Sequence, residues 1–185
     1  MRKVTYGGAV SLDFYLAGPN EEIDWLRYSD DVAEIMKESF RGVDTMLMGR
    51  KTYEFAQKMG GGPPMKGVTT YVFSSSLKDV SGDAELVSTD AAGFVRDLKA
   101  KEGGDILVMG GGELGTSLID AGLVDEIGFS IQPVLLGGGI PAFRELSRRV
   151  ELEMIETRAI KPGCVLARYR VVADAAQGNA APSHG

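Results

Sequence analysis

One cysteine, Cys164, and one histidine, His184, are all that the 185 residues hold of those two types. A lone thiol builds no disulfide framework, and so little cysteine fits a cytoplasmic location. Zinc hydrolase and zinc deaminase sites need several His or Cys ligands, so no such metal site is expected. Ser-His-Asp and Cys-His nucleophile systems fail for the same want, because His184 falls in a polar C-terminal stretch outside the folded part. If the chain is an enzyme, a cofactor carries the difficult step. Long apolar runs are missing too: none reaches the roughly 18 residues that a membrane span requires. The N-terminus leads directly into strand-like sequence, so neither a membrane segment nor a secretion signal is expected. Positive charge is also in deficit, with 20 Lys and Arg against 26 Asp and Glu and a formal net charge of -6. That balance argues against a nucleic-acid surface, while leaving room for a local basic pocket that takes a phosphorylated small molecule.

What is present has the makeup of a globular protein, 44% hydrophobic and 25% charged. The length suits one domain, assigned to residues 1–173, and the small polar tail at 174–185 is expected to be disordered and carries no function. Residues 3–10 read as a strand ending at Ser11-Leu12-Asp13. Ser29 is placed to cap a helix over about 30–41, whose Val32, Ile35, Met36 and Phe40 share one face. Strands are expected at 45–48, 69–73, 85–87 and 106–109, with helices opening at Gly49, over 91–101 behind Asp90, and over 113–121. Gly60-Gly61-Gly62-Pro63-Pro64 is a loop. Strands at 126–135, 150–157 and 165–172 follow, the last two joined around Pro162-Gly163. Strands alternating with helices and then a run of strands imply an α/β fold. Its sheet is mostly parallel, with an antiparallel C-terminal edge and helices on both faces.

Three loops fall after strands, where an open α/β sheet binds ligands. Gly110, Gly111, Gly112 and Glu113 run from a strand into a helix, and Gly110, Gly112 and Gly115 match the spacing of a dinucleotide-binding turn. Bare amides at a helix start seat a phosphate, although a ligand-free turn can have the same form. Gly49, Arg50, Lys51 and Thr52 put two cations and a hydroxyl at a helix start that the helix dipole already makes positive. A bound polyanion would resolve that conflict. Ser74 and Ser75 are hydroxyls of the kind that hold a sugar phosphate, and are also ordinary turn residues. Taken together on one edge of an acidic protein, the loops point to a dinucleotide carrying an extra phosphate. A standard NAD-binding Rossmann turn expects an acidic residue about 20 positions on, and Ser130-Ile131-Gln132-Pro133 offers none.

At this point the chain resembles the dihydrofolate reductase superfamily, and within it the reductase domain of bacterial riboflavin biosynthesis. The carriers are Ala9-Val10-Ser11-Leu12-Asp13, Met48-Gly49-Arg50-Lys51-Thr52-Tyr53-Glu54, Val72-Phe73-Ser74-Ser75, Val108-Met109-Gly110-Gly111-Gly112-Glu113-Leu114 and Pro133-Val134-Leu135-Leu136-Gly137-Gly138-Gly139. The resemblance implies an eight-stranded sheet, a homodimer, and NADPH as hydride donor to a small heterocyclic or ribosylaminopyrimidine-type substrate. Arg50, Lys51 and Thr52 would contact the cofactor phosphates, Ser74 and Ser75 the adenosine 2′-phosphate, and Gly110–Gly112 the pyrophosphate. The superfamily's catalytic carboxylate, early in the first helix, finds its nearest match in Asp30, although an acid there also suits the helix dipole. Asp13 is the other candidate, touching the substrate or fixing its own loop. Trp25 stacks on a substrate or, as is commoner for a lone tryptophan, closes the core. Phe14-Tyr15 stand where many members of the branch have glycine, two bulky rings expected near the substrate mouth. Alternatives are a pterin reductase, a reductase that accepts NADH, and a non-catalytic NADP-binding protein on the same fold.

Overall fold

The computed structural model describes residues 1–60 and 67–172. Gly61–Pro64 of the expected loop, His184 and the expected tail lie outside the described residues.

The elements follow one another as β1 (Val4–Ser11), β2 (Tyr15–Ala17), α1 (Asp30–Ser39), β3 (Val43–Gly49), α2 (Arg50–Lys58), β4 (Thr69–Phe73) and β5 (Ala84–Val87). Then come α3 (Ala91–Ala100), β6 (Asp105–Met109), α4 (Gly112–Asp120), β7 (Glu126–Gln132), β8 (Ile140–Pro141), β9 (Leu152–Ile160) and β10 (Cys164–Val171). Eight strands form one sheet in the order β5-β4-β3-β6-β1-β7-β10-β9. The pairs from β5 through β7 are parallel, while β10 runs antiparallel to both β7 and β9. The expected architecture is therefore the observed one. Its parallel strands share a direction, so the turns after β3, β4 and β6 emerge on a single edge.

Alternation along the strands sorts side chains to two faces. Val4, Tyr6 and Val10 of β1, Leu47 of β3 and Ile127 and Phe129 of β7 join Val95 and Leu98 of α3 and Leu114 and Leu118 of α4 in the main core. On the other face, Met46, Met48 and Val72 pack with Tyr53 of α2, and Val32 and Ile35 of α1 pack with Ile160, Cys164 and Leu166. Ser29 caps α1 by accepting from the Val32 amide at 3.2 Å, and Asp90 caps α3 through the amides of Ala92 and Gly93. Both caps are where the side-chain chemistry of Ser and Asp predicts them.

Three expectations are corrected. The strand expected to run to Leu135 stops at Gln132, because Pro133 has no amide to donate and the Val134 amide turns back onto the Gln132 carbonyl at 2.8 Å. A small two-stranded ribbon, β2 with β8, went unseen, since elements of three and two residues are too short to show alternation. Trp25 is half-buried and outside the core clusters, its indole N–H donating to the Glu22 carbonyl at 3.1 Å.

Tyr6 ties the layers together. Its hydroxyl donates to the Ala142 carbonyl, and its ring meets Phe129 and Phe143 edge-on at centroid distances of 5.3 and 5.8 Å. Gly115 of α4 lies against that ring so closely that an added Cβ would sit 2.4 Å from Tyr6 Cζ. Gly115→Ala is therefore expected to destabilise the fold by about 1–3 kcal/mol through overpacking. Thermal unfolding should register this as a fall of roughly 2–4 °C per kcal/mol; an unchanged midpoint would show that the ring yields at no cost.

Candidate functional site

A cleft of about 1030 Å³ runs along the carboxyl edge of the sheet and under α1. Gly49, Arg50, Lys51, Thr52, Ser74, Ser75, Gly110, Gly111, Gly112 and Glu113 all line it. The structure thus brings the three loops into one space.

The middle of the cleft is built from two helix starts. Gly49 is the N-cap of α2 and Gly111 the N-cap of α4, and neither helix has a side-chain cap, in contrast to α1 and α3. The two caps adjoin: a Cβ placed on Gly111 would lie 3.8 Å from the Gly49 amide nitrogen and 3.5 Å from Thr52 Oγ1. Gly111 holds φ at 69°, a left-handed conformation that a side chain would strain. Orphan amides and the positive ends of two helix dipoles therefore converge beside one hydroxyl. Arg50 is half-buried and held by Glu54, its Nη1 donating to the carboxylate at 2.9 and 3.1 Å. Lys51 is exposed at the rim. Glu113 is exposed in the first turn of α4, where an acid favours the helix and can accept from hydroxyl groups.

At the β4–β5 end, Ser74 is buried and already engaged, its Oγ accepting from the amides of Ser76 at 3.2 Å and Leu77 at 3.0 Å. It shapes the turn, whereas Ser75 and Ser76 are exposed hydroxyls facing the cleft, joined there by Ser88 and Thr89 after β5. Phe73, Val87 and Ala91 give this end an apolar wall.

The opposite end lies on the face of β1, β7 and β10 that α1 covers. Register sets Gly7 beside Gly128 and Ala9 beside Ser130, with Arg168 and Leu166 next in the same rows. Val32, Ile35 and Met36 of α1 line this end, as do Thr5, Gln132 and Arg27. Arg168 is pinned between Glu126 at 2.9 Å and Glu156 at 3.4 Å. Sequence reasoning missed this floor. The signal was small and polar residues alternating with Ile127, Phe129 and Ile131 along a central strand.

Asp13 and Asp30 are not among the residues lining the cleft. Asp30 is exposed in the first turn of α1. Asp13 closes its own loop: it accepts from Ser11 Oγ at 2.6 Å, from the Leu136 amide at 3.1 Å and from the Gly137 amide at 2.8 Å. The Ser11 hydrogen bond and those two amides hold its carboxyl below the usual carboxylate range, the wrong direction for a proton donor at neutral pH. Phe14 and Tyr15 also fall outside the lining; Phe14 turns toward Phe129 and Phe143, so the rings do not narrow the mouth.

Residues 2–166 match the model of the RibD C-terminal domain. The chain belongs to that family. The uncharacterized protein YyaP of Bacillus subtilis (strain 168) is 32% identical over 179 residues, which are 91% of this chain and 94% of that protein. Among solved structures, the "Putative riboflavin biosynthesis protein" of Shewanella sp. PV-4 gives a TM-score of 0.81 at 24% identity, over 94% of this chain and 100% of that one. Dihydrofolate reductase from Enterococcus faecalis, complexed with NADP(H), gives a TM-score of 0.69 at 16% identity, over 91% of this chain and 96% of that one. The RibD C-terminal domain is thus built here on the dihydrofolate reductase fold, as the sequence resemblance implies.

In this RibD C-terminal domain the Asp13 clamp carries a pH signature. A carboxyl lowered in the folded state stabilises above its ordinary range, and that contribution is lost as pH falls through its folded-state value. Thermal unfolding from pH 7 to 3 should therefore fall more steeply for the wild type than for Asp13→Asn, which is less stable at pH 7. Parallel curves would remove the clamp.

Proposed function

We propose that this chain is an NADPH-dependent reductase acting on a small heterocyclic or ribosylaminopyrimidine-type compound. The observation that carries the reading is the pair of adjoining, uncapped helix starts at Gly49 and Gly111, in a cleft that continues to a glycine floor under α1. Such a seat suits a pyrophosphate, because the donors are fixed backbone amides and need no reorganisation. Arg50, Lys51 and Thr52 would hold phosphate oxygens, Gly110–Gly112 would leave room for the pyrophosphate, and Glu113 would accept from a ribose hydroxyl. Ser75 and Ser76, with Ser74 shaping their turn, would meet the adenosine 2′-phosphate. The related fold of the Enterococcus faecalis dihydrofolate reductase, complexed with NADP(H), supports the assignment.

NADPH bound there would supply hydride to a polarised C=N or C=O carbon. The chain's own part is to orient the two ligands and exclude water. The face of α1 that lines the cleft presents Val32, Ile35 and Met36 and no aspartate, while Asp30 and Asp31 are exposed outside it. Glu38, late in α1, is the helix's carboxylate in the lining and is paired with Arg158 at 2.5 Å, so the acid early in the first helix of a pterin reductase has no counterpart in the cleft, which favours the ribosylaminopyrimidine-type class over pterins. The homodimer belongs to the same proposal, seated on the β9–β10 face where Leu152, Met154 and Val165 are exposed.

Titration with NADPH and NADH, read by energy transfer from Trp25 to the nicotinamide, tests the cofactor. NADPH is expected to bind more tightly. Arg50→Ala should weaken NADPH about tenfold, the scale of a charge-assisted hydrogen bond, and NADH by a similar factor, because both carry the phosphate oxygens that Arg50 would hold. Binding of neither nucleotide would overturn the reductase reading, and tight NADPH binding without turnover of any acceptor would favour the non-catalytic one. Sedimentation should give twice the chain mass for the wild type and the monomer mass for Met154→Glu.

A further inference from the structure

The end of the cleft under α1 holds a hydrogen-bonded chain that the cofactor seat does not use. Gln132 is 2% exposed and reaches the cleft lining from the last position of β7. Its Oε1 accepts from the Arg27 amide at 3.1 Å and from the Cys164 thiol at 3.1 Å. A backbone N–H can only donate, so the oxygen of the amide must lie at that end and the NH2 at the other. Burial pushes the Cys164 thiol up, so it keeps its proton at neutral pH and stays a donor.

The direction then passes to Ser130. Gln132 Nε2 donates to Ser130 Oγ at 3.2 Å, which uses that hydroxyl as an acceptor. Ser130 keeps one proton to give, and among the described residues this is its side chain's one hydrogen bond. Its row neighbours across the sheet are Ala9 and Leu166, whose side chains offer no acceptor. The proton is left to the cleft.

We propose that Ser130 is the hydrogen-bond donor that selects the ligand in this part of the cleft. Gln132 is the positioning residue that aims it, and the ligand is a neutral, planar heterocycle presenting a carbonyl or ring-nitrogen acceptor. The proposal deepens the reductase reading and rests on it for the ligand's role as hydride acceptor. The surroundings specify the remaining chemistry. Val32 and Ile35 supply an apolar wall; Arg168, whose stem lies over Gly128, is neutralised by two carboxylates; and the Arg27 guanidinium is turned to the Pro162 carbonyl at 3.0 Å. A buried donor that loses its partner costs binding in a way that an apolar wall does not, so one oriented hydroxyl among apolar groups is a selective element.

Lumazine, a fluorescent pteridinedione with carbonyl and ring-nitrogen acceptors, is a suitable probe. Its binding is titrated by fluorescence with and without NADP⁺, alongside NADPH binding and thermal unfolding of each variant. Wild type should bind lumazine saturably. Ser130→Thr keeps the hydroxyl and should stay within about twofold to threefold, while Ser130→Ala should weaken binding about tenfold, the scale of a lost hydrogen bond in a dry site. Gln132→Glu should weaken it comparably, because a carboxylate accepts the Ser130 proton and turns it away from the cleft. In the Ser130→Ala background the same change should cost nothing further, a non-additivity that general damage to the fold would not produce. NADPH affinity should be unmoved throughout. Lumazine binding that is absent in the wild type, or equal in Ser130→Ala, overturns the proposal. Loss of NADPH binding by the wild type overturns the reductase reading instead, and leaves a Ser130-dependent lumazine site standing.

Discussion

The sheet, α4 and the segment after β8 meet at Tyr6. The residue is fully buried in the central strand β1, yet its hydroxyl is satisfied by the Ala142 carbonyl from the segment after β8. A phenol in an apolar core without such a partner would cost more than its ring contributes. Burial raises its pKa and keeps it a donor. Because α4 offers Gly115 where the ring lies, the helix approaches the sheet more closely than a side chain would allow. That approach sets where α4 begins, and so brings Gly111 beside Gly49. The meeting of the two uncapped helix starts thus goes with the close packing of α4 on the sheet.

The same economy governs the two faces of the sheet. Along β7, Ile127 and Phe129 fill the core, while Gly128, Ser130 and Gln132 line the cleft. A strand buried on both faces usually reads as continuous large apolar residues. Here one face is small and polar, and it lines the cleft. Helix α1 reaches over that face from the side, anchored on Ile160, Cys164 and Leu166 of the antiparallel edge. The antiparallel strands are therefore more than a sheet extension: they carry the support for the helix that roofs the cleft. Arg168 stands on the same edge, neutralised by its two carboxylate partners.

Much of this was legible in the chain. The stripe Val32, Ile35 and Met36 announced α1, Ser29 and Asp90 announced their caps, and the strand–glycine–helix order at Met109–Glu113 announced the α4 start. These signals are local, carried by residues within a few positions of one another, where propensity and periodicity act. The glycine motif was legible as a motif but not in its reasons. Gly111 is there for a left-handed cap and Gly115 for a tyrosine more than a hundred residues earlier in the sequence.

By itself, the sequence determined the alternation of elements, the parallel core with its antiparallel end, the want of histidine and cysteine chemistry, and three turns on one sheet edge. Each follows from short-range chemistry or from composition. Only the tertiary structure decided that Asp13 closes a loop, that Phe14 turns toward Phe129, and that Ser74 shapes a turn while Ser75 faces the cleft. It alone set Gln132 against Cys164 and Ser130. Those outcomes depend on which partners long-range packing brings within hydrogen-bond distance, and no periodicity along the chain encodes a contact across strands.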